Sequence, residues 1–203
     1  MFYFCKHWLL IWMIFTGSNC FCQIFGGNPP SLKWKQINTN DTRVIFPAGL
    51  NSTAERITNV IEWIKHPTET TIGSNSKKVN ILLQNRTTIS NGFVALGPYK
   101  SEFYLTPTQN SFELGSLPWP DQLTIHEYRH VEQYNNFNVG LSHILYLIFG
   151  EEGQALANNA AIPNWFFEGE AVYNETNVSK QGRTEERRRG RGGESRGATE
   201  KKK

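Results

Sequence analysis

His126, Glu127 and His130 stand in the order His-Glu-x-x-His, within the stretch "HEYRH". On an α-helix, residues four apart lie one above the other on the same face, so both imidazoles can aim a ring nitrogen at one ion. Zinc takes such nitrogens at about 2.0–2.1 Å. A glutamate directly after the first histidine projects beside the ion, where its carboxylate can accept a proton from a bound water. That is the chemistry of metal-assisted hydrolysis. The pentapeptide alone fits a solvated or core-satisfied histidine pair equally well. A catalytic zinc has three protein ligands and an open fourth position, so the metal reading requires a third ligand from elsewhere.

The candidate lies in "PNWFFEGEAVYNE", Pro163 to Glu175. Glu168 follows three aromatic residues, Trp165, Phe166 and Phe167, and is expected to enter the interior with them. A carboxylate in apolar surroundings needs a counter-charge, and a metal ion is one. Glu170 is the rival. It sits about 200° further round a helix, so the two cannot both face one ion. The same pair also suits an exposed helix near its N-terminus, where carboxylates are favoured.

The HExxH segment needs a helix with apolar surface. Leu123, Ile125, Val131 and Tyr134 supply that surface, and Pro120 sets the start, with Asp121 as the expected cap. Further helices are expected over about 140–160 and 164–176, punctuated by Gly140 and Pro163. "LSHILYLIF" (Leu141 to Phe149) is too short to span a bilayer and reads as a core helix. Upstream, "RVIFP" (Arg43 to Pro47) and "VNILLQN" (Val79 to Asn85) read as strands. Residues 92–107 read as two strands around a turn at Gly97 and Pro98. Asn51 to His66 places Ile57, Val60, Ile61 and Ile64 on one helical face. Residues 26–40 read as an extended entry segment. A strand-rich part followed by helices predicts an α+β domain.

The termini differ from this body. Lys6 and His7, then the apolar run "WLLIWMIF", then "CFC" predict a signal peptide over residues 1–22, with acylation of Cys20 as the alternative. All three cysteines, Cys5, Cys20 and Cys22, lie in it. A mature chain without cysteine has no disulfide, and any metal site must use His, Asp or Glu. From Ser179 the chain is rich in Arg, Gly and Lys with a single alanine as its only apolar residue, which predicts a disordered tail over residues 179–203. The net charge of +3 comes from this tail; residues 1–179 carry eleven basic and fourteen acidic residues. The body therefore gives no reason to expect nucleic acid as a partner. No membrane span is expected once the leader is removed.

"HEYRH" followed by "WFFEG" resembles the pattern of the peptidase MA-like gluzincins, His-Glu-x-x-His and then Trp-x-x-Glu-Gly. The stretches "GGNPPSLKWKQINT", "GPYKSEFYLTP", "LPWP" and "PNWFFEGEAVYNET" are similar to an exported bacterial group that carries this metallopeptidase domain ahead of a TolB-like β-propeller. The resemblance covers about Gly26 to Thr176. It implies a zincin-like fold over residues 23–178, with Zn2+ held by His126, His130 and Glu168 and with Glu127 as the general base. The implied substrate is a peptide or protein, and the implied location is the periplasm or cell envelope of a Gram-negative bacterium. The domain is expected to be incomplete at its C-terminal end, which leaves an inactive binding or scaffolding module of the same fold as the alternative. The segment Phe103 to Leu105 is expected either to pair with an extended substrate or to be an internal strand. Tyr104, Tyr128 and Tyr173 are candidate oxyanion donors or, equally, core tyrosines. The residues leave the oligomeric state open.

Overall fold

The computed structural model describes residues 28–109, 117–178 and 180. The expected leader lies outside the described residues, and so does the expected tail apart from Lys180. Every element falls within a unit that begins at Leu32. The strands are β1 (Trp34–Asn38), β2 (Thr42–Pro47), β3 (Val79–Gln84), β4 (Gly92–Ala95) and β5 (Lys100–Tyr104). The helices are α1 (Asn51–Ile72), α2 (Trp119–Asn136), α3 (Leu141–Ala161) and α4, over 164–178. The architecture is α+β.

The five strands form one sheet in the order β1-β2-β3-β5-β4. The central strands β2, β3 and β5 run parallel, and the two outer strands pair antiparallel to them. Alternation decides which face is covered. Val44 and Phe46, Val79, Ile81 and Leu83, and Phe103 are buried, whereas Arg43 and Asn80 on the opposite face are exposed. The covered face meets α1 through Ala54, Ile57, Ile61 and Ile64, and α2 through Leu123, Ile125, Tyr128 and Val131. Parallel neighbours cannot be joined by a tight turn, and α1 provides the crossover from β2 to β3.

Several expectations change. The entry segment contains β1, which sequence pattern misses because four of its five residues are exposed and only Ile37 is half-buried. Helix α1 runs to Ile72, six residues past the expected end; the Thr68 hydroxyl donates to the Ile64 carbonyl at 2.9 Å in these added turns. Helix α2 starts at Trp119, and Asp121 does not cap it. Its carboxylate instead takes both Arg56 Nε and Nη2 at 2.6 Å, fastening α2 to α1. Helix α3 is broken at Gly150, whose φ of 68° is open to glycine, and its first half is not a core helix. Leu141, Ile144, Leu147, Ile148 and Phe149 are exposed, while Ser142, Gln154 and Asn158 are buried. No described helix is long and apolar enough to cross a membrane.

Leu83 sits fully buried at the centre of the sheet. Leu83→Ala is expected to lower stability by about 2–5 kcal/mol, read as a lower urea midpoint with an unchanged denaturant slope.

Candidate metal centre

Helix α2 is almost wholly enclosed. The sheet and α1 cover one side, and α4 lies against the other through Phe167, whose ring is 5.8 Å from Tyr134 and 5.6 Å from Phe137. His126 and His130 point from α2 toward α4, one turn apart, with ring centroids 5.0 Å apart and edge to face. Their Nε2 atoms are 3.3 Å apart. Glu168 Oε2 lies 3.4 Å from His126 Nε2 and 3.7 Å from His130 Nε2. Ligand atoms on one tetrahedral zinc stand roughly 3.4 Å from each other, given bonds of about 2.1 Å. The three side chains therefore form a group that can hold a metal ion. Two imidazole nitrogens and a carboxylate oxygen suit a borderline divalent cation such as zinc.

Glu168 does not enter the interior with the aromatic residues before it. Trp165 is 74% exposed and Phe166 41% exposed; of the three consecutive aromatics only Phe167 turns inward. A helix advances 100° per residue, so three neighbours cannot share one buried face. The Glu168 side chain is 53% exposed and reaches the histidines from the rim of a cavity. Glu170 is the carboxylate that turns inside, and its counter-charge is a guanidinium: Arg129 Nε donates to both of its oxygens at 2.8 Å. The 100° spacing separates the two roles.

Glu127 lies beside the group and lines the same cavity, against Gly92 of β4. Its Oε2 is buried with no hydrogen-bond partner among the described residues. Burial raises its pKa to about 7; the Glu168 charge adds to the rise and His126 opposes it. An orphaned carboxylate oxygen next to a donor group is the polarity that a cation with its water would complete. Burial pulls His126 down, but the carboxylates of Glu175, Glu127 and Glu168 outweigh it and leave its pKa raised. His130 goes the other way: burial and the neighbouring His126 hold it below the usual histidine value despite a hydrogen bond with Gln133.

A cavity of about 210 Å³ opens over these residues. Its floor is His126, Glu127 and His130; its walls include Phe93, Tyr134 and Asn164. Tyr134 was assigned only to packing by the sequence, yet it continues the line of His126 and His130 by one more turn. That i, i+4, i+8 spacing was the available signal. Tyr128 is a core residue, Tyr173 is exposed and Tyr104 stands on β5 beside Glu102; none of the three lines the cavity. The strand at the cavity is β4. Phe103 belongs to β5, which lies between β3 and β4 with both edges paired, so the substrate-pairing alternative for Phe103 to Leu105 falls and the internal-strand reading stands. Gly92 on β4 packs directly on Glu127: a Cβ there would come within 2.6 Å of Glu127 Oε1 and 2.7 Å of its Cγ.

Two outcomes follow from Glu127. The charged form is favoured less in the fold than in the unfolded chain, so its neutral form contributes stability that is lost as pH rises from about 4.5 through about 7. Metal-free Glu127→Gln is expected to exceed the wild type in stability by about 1–3 kcal/mol above neutrality. It should match the wild type near pH 4, as read by denaturant unfolding across pH. Gly92→Ala is expected to push the Glu127 carboxylate aside, reducing any hydrolytic turnover at least tenfold while metal content stays at the wild-type level. Compared with protein-family models, with curated proteins and with solved structures, the chain matches none.

Proposed function

We propose that this chain is an exported zinc-dependent peptidase of gluzincin type with a zincin-like fold, acting in the periplasm or cell envelope. The observation that carries the reading is the convergence of His126 Nε2, His130 Nε2 and Glu168 Oε2 within 4.8 Å, with the unpartnered Glu127 carboxylate alongside. The likeness of "HEYRH" and "WFFEG" to the gluzincin pattern points the same way.

A divalent cation on these donors supplies Lewis acidity, acidifying a water and polarising a carbonyl. His126 and His130 would hold it from one helix face, and Glu168 would hold it from α4. Glu127 is the general base. With a pKa raised by burial, its carboxylate is matched to taking a proton from the attacking water and passing it to the leaving amine. The absent Cβ of Gly92 on β4 leaves the space that the Glu127 side chain occupies. Strand β4 is the sheet edge that reaches the cavity, and an extended peptide can add to such an edge by main-chain hydrogen bonds. A scissile bond held there would lie near Glu127, and the peptide's side chains would alternate between the cavity and solvent.

The test is metal content joined to peptide digestion. The zinc-loaded, dialysed chain is expected to hold about one zinc. Glu168→Ala should lose most of it. Glu127→Ala should keep it and lose cleavage of a peptide library. A folded chain that takes up no zinc would refute the metal centre. Zinc that survives Glu168→Ala and disappears in Glu170→Ala would assign the third ligand to Glu170. A zinc-loaded, folded wild type that leaves every peptide intact would favour the binding or scaffolding module instead.

A further inference from the structure

Gln133 lies one turn beyond Arg129 on α2, fully buried, and its amide has three partners. One end is 2.8 Å from His130 Nδ1. The other end is 3.0 Å from the Phe167 carbonyl and 2.7 Å from Glu170 Oε2. A carbonyl and a carboxylate can only accept, so the end that meets them is the NH2 group. The oxygen must then face His130, and an oxygen in turn requires a proton on Nδ1. A neutral imidazole protonated on Nδ1 carries its lone pair on Nε2. That is the atom facing His126 Nε2 and Glu168 Oε2.

The anchor of this relay is fixed further back. Glu170 is held by Arg129 through Nε and Nη2. Arg129 is only 2% exposed, and its remaining N–H groups go to Glu132 Oε2 at 3.0 Å, the Thr68 carbonyl at 3.1 Å and Thr71 Oγ1 at 2.8 Å. Each donor in the chain has an acceptor, and no member can reverse without leaving a buried polar group unpaired.

We propose that Gln133 and Glu170, clamped by Arg129, are positioning residues that fix His130 in the tautomer presenting Nε2 to a metal ion. The inference deepens the metal-centre reading and rests on it for its consequence in zinc affinity. It also gives Glu170 a role distinct from that of a ligand. The partner of a ligating histidine's second nitrogen sets its ring orientation and basicity, and its loss typically weakens metal binding about 10–100-fold.

The experiment has two arms. Long-range 1H–15N correlation on the metal-free full chain, at a pH where imidazoles are neutral, reads the His130 tautomer directly. The expected result is a protonated Nδ1 in the wild type, a weakened preference in Glu170→Gln, whose amide must turn its N–H groups toward either Arg129 or Gln133, and loss of the preference in Gln133→Leu. Chelator competition then reads zinc affinity, which should fall about 10–100-fold in Gln133→Leu and by a smaller factor in Glu170→Gln. A wild-type His130 protonated on Nε2 overturns the proposal, as does a folded Gln133→Leu that binds zinc as tightly as wild type. If Gln133→Leu fails to fold, the wild-type tautomer decides. A wild type with protonated Nδ1 that takes up no zinc refutes the metal centre and leaves the tautomer relay intact.

Discussion

The ion-pair cluster at Arg129 joins the three helices on which the site depends. The guanidinium leaves α2, meets Glu170 on α4, and closes on the backbone and a hydroxyl of α1 through Thr68 and Thr71. Burying such a charge is costly unless every donor is matched, and here they are matched by two carboxylates and two neutral oxygens. Glu132, the second carboxylate, is itself raised to about 7 by burial even though Thr68 and Arg129 both donate to it. A cluster of this kind adds little net stability compared with apolar packing, but removing one partner leaves an uncompensated buried charge, which is strongly destabilising. Glu168 reaches the histidines because Glu170, two residues along, is locked to α2.

The same cluster ranks the carboxylates. Four of them approach the histidines, and their surroundings separate them. Glu170 is neutralised by Arg129, Glu168 is half in solvent and free to bind, and Glu175 stands 3.7 Å from His126 Nδ1. Glu127 is buried without a partner and held against the glycine edge of β4. Acid–base chemistry needs a group whose proton is exchangeable near neutrality, and burial, against the opposing pull of His126, raises Glu127 to about 7.

Much of this was legible beforehand in residues whose pattern is local. The alternation in "RVIFP" and "VNILLQN" and the spacing of Ile57, Ile61 and Ile64 report directly on burial, and Gly140 and Pro163 mark where the later helices begin. Strand β1 was invisible because pairing with β2, not burial, holds it, and pairing leaves no apolar period in an exposed strand. The apolar run in α3 was read as core because hydropathy measures composition and not which neighbour arrives to cover it. The aromatic triplet before Glu168 likewise overstates burial, because only one of three consecutive helical residues can face a given partner.

The chain's own order settled what depends on distances within a helix. His126 and His130 share a face, Glu127 stands next to them, and Glu168 and Glu170 must diverge, because 3.6 residues per turn allows nothing else. Tertiary structure decided which of the two diverging carboxylates meets the histidines, which strand edge opens on the cavity, and which nitrogen of His130 is left free. Each of those depends on groups far apart in the chain, Arg129 with Glu170, Gly92 with Glu127 and Gln133 with Phe167. A buried hydrogen bond or charge selects its partner only once packing has excluded water, and no spacing rule in the sequence encodes that exclusion.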